Sequence, residues 1–106
     1  MSADFDAAVA AARAERVVLR LYISGQTARS AQAIVNVRQL CETSLPGRYD
    51  LTVVDLSQSP ALAARHQIIA APTLVRELPL PERKFIGDMS NGARILRGLD
   101  VVAAPA

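Results

Sequence analysis

An apolar run near the start of the chain gives the strongest structural signal. Residues 17–23, Val-Val-Leu-Arg-Leu-Tyr-Ile, are mostly β-branched or aliphatic, and they end at Ser24 and Gly25. Arg20 is the one charge in the run. A short run of this composition, bounded by turn residues, predicts a strand that is buried on both faces. We therefore expect a central strand of a sheet at this place.

A helical period follows this strand. Between residues 28 and 43, apolar positions recur at three- and four-residue spacing, which predicts an amphipathic helix. Its apolar face comprises Ile34, Val37, Leu40 and Cys41. Thr27 is the expected N-cap. Residues 49–56 then predict a second strand, and the order strand–helix–strand predicts a right-handed crossover between parallel strands.

The remaining residues predict a helix, two strands and a last helix. The expected elements are a helix from Pro60 to Gln67, a strand over residues 73–77 opened by Pro72, a strand over residues 83–86, and a helix capped by Ser90 with Ile95, Leu96, Leu99 and Val102 on its apolar face. The order is therefore βαβαββα within residues 17–102. Residues 1–16, with Phe5 and Val9 on one stripe, predict an extra N-terminal helix, the alternative being a poorly packed appendage. Residues 103–106 predict a flexible tail.

This order, with Pro72 opening the third strand, is that of a thioredoxin-like α/β domain. In that fold the proline, usually cis, faces the loop that follows the first strand. Thiol–disulfide exchange needs an attacking thiolate in this loop, but residues 24–28 contain no Cys. Cys41 falls on the apolar face of the next helix, where we expect a buried, inert side chain. A redox enzyme is therefore the weaker hypothesis, and a scaffold that recognises another protein is the stronger.

Composition narrows the function further. The 106 residues suffice for one domain, and 51% of them are hydrophobic. A net charge of +2 and only 4% aromatic residues argue against a nucleic-acid binder. One Cys and one His form neither an internal disulfide nor a zinc site, so we expect no metal, no cofactor and no catalytic residues. No apolar run approaches a membrane span and residues 1–6 carry no positive charge, so we expect a cytoplasmic protein.

The most suggestive surface lies at the cations near the fourth strand. Eleven of the twelve Lys and Arg residues are Arg, and Lys84 is the exception. Arg76, Arg83 and Lys84 fall close together in the sequence. Because side chains alternate along a strand, Arg83 shares a face with Phe85, whereas Lys84 shares the other face with Ile86. The cluster predicts a binding surface, and the alternative is an edge strand that charge protects against aggregation.

Three stretches of the chain resemble the KaiB circadian-clock proteins. They are Leu19-Arg-Leu-Tyr-Ile-Ser-Gly25, the segment Ala71-Pro-Thr-Leu-Val with Leu78-Pro-Leu-Pro-Glu-Arg-Lys-Phe-Ile-Gly-Asp-Met-Ser90, and Arg97-Gly-Leu-Asp100. The Pro-x-Pro segment, followed by two cations and Ile-Gly-Asp-x-Ser, is the most specific of these. The resemblance extends over residues 17–101, about four fifths of the chain.

The resemblance implies a regulator and not an enzyme. KaiB proteins bind the N-terminal ATPase ring of KaiC, and in cyanobacteria the complex captures KaiA and competes with a sensor histidine kinase that carries a related domain. The family also has two folds, a resting tetramer with the order βαββααβ and a thioredoxin-like monomer that binds KaiC. Arg29, Arg76, Arg83 and Lys84 would belong to the binding surface. A resting homo-oligomer is therefore the alternative to the thioredoxin-like form.

Two residues of the last predicted helix indicate where such a fold switch is biased. Gly98 in a helix costs about 0.5–1 kcal/mol relative to Ala. Asp100 places an anion near the negative C-terminal end of the helix. Both disfavour the helix, whereas residues 101–102, Val-Val, suit a strand. The hypothesis is that Gly98→Ala with Asp100→Arg shifts the chain toward the thioredoxin-like monomer.

Three differences separate the chain from cyanobacterial KaiB. It carries about 16 residues before the first strand, it ends in Ala-Pro-Ala where an acidic tail is usual, and Ala28 stands where many members have Pro. These differences argue against a KaiA partner and a true oscillator. We expect a KaiC-like partner and a role in timing or stress adaptation, and docking to a histidine kinase is the alternative.

Overall fold

The computed structural model describes residues 16–68 and 71–99, which form seven elements. In chain order these are β1 (Val17–Ile23), α1 (Ala28–Ser44), β2 (Tyr49–Asp55), α2 (Pro60–Arg65), β3 (Thr73–Leu78), β4 (Arg83–Ile86) and α3 (Gly92–Leu99). The predicted order βαβαββα is confirmed. Residues 1–15 of the predicted N-terminal helix, the predicted tail, Asp100 and Val102 lie outside the described residues.

The four strands form one mixed sheet in the order β2-β1-β3-β4. β1 runs parallel to β2, from the pair Val17–Tyr49 to the pair Ile23–Asp55. α1 makes the crossover between them, as parallel neighbours require. β3 is antiparallel to β1, and β4 is antiparallel to β3. β1 is therefore a central strand, as its apolar run predicts, and the whole is a thioredoxin-like α/β fold.

The sheet is covered by helices on both faces. On one face, α1 and α3 pack on the alternate residues of β1 that include Leu19 and Leu21, and Leu74 of β3 joins them in the larger core. On the other face, α2 covers a smaller core around Tyr22 and Val75. Because the side chains of a strand alternate between faces, the neighbours Leu21 and Tyr22 belong to different cores.

The helix boundaries follow from local hydrogen bonds, and two of them correct the predictions. Thr27 caps α1 as predicted, because its hydroxyl oxygen accepts the N–H of Ser30 at 3.0 Å. α2 ends at Arg65, before the predicted end, and Gln67 has a φ of 56°, which no helix continues. α3 is capped by Asn91 where Ser90 was predicted, since the Asn91 side chain accepts the N–H of the third helical residue at 3.1 Å.

The connection between β3 and β4 is short and rich in proline. The peptide bonds that precede Pro72, Pro79 and Pro81 are all cis, and the first of these is the isomer expected at the start of β3. A proline cannot donate to a strand ladder, so residues 79–81 leave the sheet before β4 pairs with β3.

Candidate functional site

The loop after β1 occupies the place where thioredoxins carry their reactive thiols. Tyr22 pairs with Thr73, so Pro72 lies beside Ile23 at the end of β1. The chain turns at Gly25, whose φ of 72° suits glycine. Ser24 to Thr27 contain no Cys. The scaffold of a thiol–disulfide site is therefore present without its reacting group.

Asp55, at the end of β2, holds this loop in place. One of its carboxylate oxygens accepts the N–H of Gly25 at 2.9 Å, together with the N–H and the hydroxyl of Ser57 at 2.9 and 2.7 Å. These bonds, that of the Ser57 hydroxyl first, lower the pKa of Asp55. Asp55 is therefore an ionised structural acceptor and a poor proton donor.

Cys41 is the only thiol of the chain, and it lies in the larger core. Burial, and to a smaller extent the charge of Glu42, raises the pKa of the Cys41 thiol to about 12. At neutral pH the side chain is therefore a protonated, buried apolar group, as predicted. Within residues 16–68 and 71–99, no cluster of His, Cys, Asp and Glu suits a metal ion. No helix in these ranges is both long and apolar enough to cross a bilayer.

Arg83 and Lys84 remain at the surface, on opposite faces of β4. Arg83 is exposed, and no described residue forms a hydrogen bond or an ion pair with it. Lys84 Nζ donates to the backbone carbonyls of His66 and Gln67, at 3.1 and 3.3 Å. A carboxylate oxygen of Glu82 lies 4.0 Å from the same nitrogen. Lys84 therefore fastens β4 to the end of α2, while Arg83 is left for other contacts.

The structure corrects the expected place of Arg76. Its side chain is 2% exposed, because the alternation of β3 turns it toward the same core as Leu74. The guanidinium donates to the carbonyls of Leu99 and Pro81, and Nε has no hydrogen-bond partner among the described residues. Arg76 therefore joins the end of α3 to the β3–β4 connection, and it is not part of an exposed surface in this fold.

Arg29 lies apart from the other cations. It is exposed in the first turn of α1. The hydroxyl and N–H of Ser90 lower the pKa of Asp88, and the charge of Arg29 lowers it further, which places Arg29 near the chain after β4. Arg83, at the start of β4, pairs with Arg76. The structure thus sets Arg83 and Lys84 on opposite faces of β4, next to each other in the strand, and Arg29 at the far end of the strand.

Exposed apolar side chains beside these cations were missed by the sequence reasoning. Leu78 is 48% exposed, Leu80 is 74% exposed and Ile86 is 56% exposed. In the described part of the chain, three of the four large apolar side chains exposed to this degree belong to this stretch, and Val35 is the fourth. The signal was available in the alternation of β4, which sets Ile86 on the face opposite Phe85.

These features define a class of protein, a thioredoxin-like domain without a thiol after its first strand. Comparison with solved structures supports the assignment of a thioredoxin-like fold. The N-terminal domain of SasA from Synechococcus elongatus superposes with a TM-score of 0.67 at 19% identity, covering 78% of this chain and 81% of that domain. Mitochondrial thioredoxin 3 of Saccharomyces cerevisiae superposes with a TM-score of 0.64 at 14% identity, covering 90% and 87% of the two chains. At these identities the likeness concerns the fold alone.

Sequence comparison gives the family. The family model described as the KaiB domain matches residues 20–101. Circadian clock protein KaiB3 of Synechocystis sp. is 44% identical over 87 residues, covering 82% of this chain and 85% of the relative. Circadian clock oscillator protein KaiB of Picosynechococcus sp. is 44% identical over 85 residues, covering 80% and 82%. The chain belongs to the KaiB family of circadian clock regulators.

Proposed function

We propose that this chain is a non-enzymatic regulator that binds a KaiC-type ATPase ring and modulates its phosphorylation or its output, in circadian timing or stress adaptation. One observation carries the proposal: the KaiB domain spans residues 20–101, most of the chain. The site is consistent with it, because the thioredoxin-like scaffold has no thiol after β1 and Cys41 is buried. The expected place of action is the cytoplasm.

The exposed cations supply the contact surface in this proposal. Arg83 has no described partner, and Lys84 donates only to neutral carbonyls besides its distant contact with Glu82. Arg29 extends the surface at the other end of β4. Guanidinium groups suit bidentate contacts with carboxylates, so an acidic face of the ring is the expected counterpart. Arg76 supports this surface indirectly, because it donates to the carbonyl of Pro81 in the connection that leads into β4.

A binding assay with the cognate KaiC-type ring tests the proposal. The chain is incubated with the ring and either ATP or ADP, long enough for a slow conformational change, and the mixture is separated by size-exclusion chromatography. We expect co-elution, and we expect Arg83→Glu to weaken binding about tenfold or more. Arg38→Glu is the matched control, because Arg38 is exposed on α1 near Tyr49, at the opposite edge of the sheet. No complex with either nucleotide would defeat the proposal.

A second candidate is docking to a sensor histidine kinase in place of the ring, and the same thioredoxin-like fold could serve it. Both candidates use the same scaffold, so separate binding assays with the ring and with a kinase fragment distinguish them. The second candidate would be favoured if a kinase fragment bound the chain in the absence of any ring protein, and the ring itself did not bind the chain in the same assay. The tetramer with the order βαββααβ remains a prediction beside the thioredoxin-like form described here.

A further inference from the structure

No residue within 16–68 and 71–99 adds a strand to the outer edge of β4. β4 is the last strand of the order β2-β1-β3-β4, and no described strand pairs with its outer side. The N–H of Gly87 donates to the carbonyl of Pro72 at 3.0 Å, so this residue turns its backbone toward β3. In an antiparallel pair the inward and outward residues alternate. Lys84 and Ile86 therefore present their N–H and C=O groups outward, away from β3.

Side chains of two kinds surround this backbone edge. Ile86 and Leu80 are exposed apolar groups. Arg83 is exposed with no described partner, and Lys84 contributes a second positive charge. An unpaired backbone edge can accept an additional strand, and its flanking side chains select which strand. The edge of β4 thus combines open hydrogen-bonding groups, apolar contact area and positive charge.

Charge decides which strand fits. In a pair formed by two copies of β4, neighbouring strands are about 4.7–4.9 Å apart, which brings the cations of both copies close together. Like charges that face each other across strands are destabilising. A segment with carboxylates on the face of Arg83 meets that guanidinium favourably, and apolar residues on its other face can cover Ile86. The same cations that repel a second copy therefore attract an acidic strand.

We propose that the outer edge of β4 binds an extended, acidic segment of a partner protein as a fifth strand of the sheet. Lys84 and Ile86 supply the backbone hydrogen bonds, and Arg83 supplies the charge recognition. The inference rests on the proposed function only for the choice of a protein as partner. It adds the conformation and the charge of the segment that is bound.

A synthetic peptide tests this inference without the ring. The probe is a short blocked peptide of alternating Glu and Val, and the comparison peptide carries Lys at every Glu position. In ¹⁵N NMR titrations of the full chain, we expect the acidic peptide to slow amide hydrogen exchange at Lys84 and Ile86 about tenfold or more. Affinity should fall steeply between about 0.05 M and about 0.5 M salt. Unchanged exchange at both amides, or equal binding of the Lys peptide, would overturn the inference.

Two variants at one position separate backbone pairing from simple charge attraction. Ile86→Pro removes the outward N–H, and proline is tolerated where that group faces solvent. Ile86→Val keeps the N–H and most of the apolar contact, so it is the matched control. We expect peptide binding to fall about tenfold in the proline variant and to change little in the valine variant, with both NMR spectra remaining dispersed. Equal binding by both folded variants would refute strand addition.

The two proposals can fail separately. Ring binding decides the proposed function, whereas amide protection by the acidic peptide decides the strand addition. A chain that binds the ring but leaves Lys84 and Ile86 unprotected against the peptide keeps its proposed function and loses this inference. A chain that binds the peptide but no ring does the reverse.

Discussion

Gly98 in α3 is the residue at which the structure most changes an expectation from the sequence. Helix propensity alone predicts that Gly98→Ala stabilises α3 by about 0.5–1 kcal/mol. In the folded chain, however, a Cβ at this position would lie 2.3 Å from Cε1 and 2.8 Å from Cζ of Phe85. Carbon atoms in contact prefer about 3.5–4.0 Å. The Phe85 ring and an alanine at position 98 therefore cannot both keep their present places.

The clash is the larger of the two effects. Phe85 is half-buried and packs against the larger core from β4, so moving its ring away from α3 would disturb that packing. Forcing an extra methyl group into such a contact typically costs about 1–3 kcal/mol. Subtracting the gain in helix propensity, we expect Gly98→Ala to lower the free energy of unfolding by about 1 kcal/mol, and by no more than about 2.5 kcal/mol. The sign is opposite to the one that the sequence predicts.

A double-mutant cycle with Phe85→Leu isolates this contact. Leucine lacks the two ring atoms that clash. Its δ carbons lie near the place of Cδ1 of Phe85, and that atom is 3.6 Å from the position of an alanine methyl group at residue 98, which is an ordinary contact distance. In the Phe85→Leu background, Gly98→Ala should therefore raise the free energy of unfolding by about 0.5–1 kcal/mol. The measurement is urea unfolding of the monomer fraction, followed by circular dichroism.

Gly92 provides the matched control within the same helix. A Cβ there would meet only Cδ1 of Leu40, at 3.5 Å, so Gly92→Ala should be tolerated in both backgrounds. If Gly98→Ala stabilises the wild-type chain as much as the Phe85→Leu chain, the argued clash does not exist. The same pair tests the proposed fold switch. By size-exclusion chromatography, Gly98→Ala should increase the thioredoxin-like monomer only when Phe85 is also replaced.

Three further predictions concern buried or hydrogen-bonded groups. Arg76→Met should lower the free energy of unfolding by about 1–3 kcal/mol, because two carbonyls lose their donor; an unchanged urea midpoint would contradict the assigned contacts. Cys41 should react with a thiol reagent at neutral pH only through unfolding. Because folding raises the pKa of its thiol to about 12, the free energy of unfolding should fall as the pH rises above about 9. Cys41→Ala should reduce this loss. Asp55 has a lowered pKa, so its contribution to stability is present above about pH 4 and is lost in acid. The free energy of unfolding should therefore change less between about pH 6 and pH 2 in Asp55→Asn than in the wild type. An equal change in both chains would count against the bonds of Asp55 to Gly25 and Ser57.

Local patterns were enough to predict the order of the elements and the nature of β1. The apolar run of residues 17–23 and the change of period after it depend on neighbouring residues, and the structure reproduces both. The same holds for Cys41, whose place on the apolar face of α1 predicts its burial. These features were accessible because strand and helix periods assign side chains to a face without knowledge of the partner element.

The burial and the hydrogen bonds of Arg76 depend on contacts that no local sequence pattern contains. Alternation sets Arg76 on the face of Leu74, which by itself predicts an unfavourable buried charge. The carbonyls that accept its hydrogen bonds belong to Leu99, 23 residues away, and to Pro81 across the connection. Gly98 is similar, because the sequence gives its helix propensity but not the approach of Phe85. In both cases packing between distant segments decided the outcome.

The two faces and the outer edge of β4 make different contacts, and these differences determine how variants of β4 must be interpreted. On one face Phe85 contacts Gly98 of α3, and on the other Lys84 holds the end of α2. A substitution at either residue changes the fold as well as any binding. Arg83→Glu removes no described contact, so a loss of binding in that variant reports the surface itself. If Phe85→Leu weakened binding as much as Arg83→Glu while unfolding at the same urea concentration as wild type, the binding surface would have to extend from Arg83 along the α3 face of β4 to Phe85.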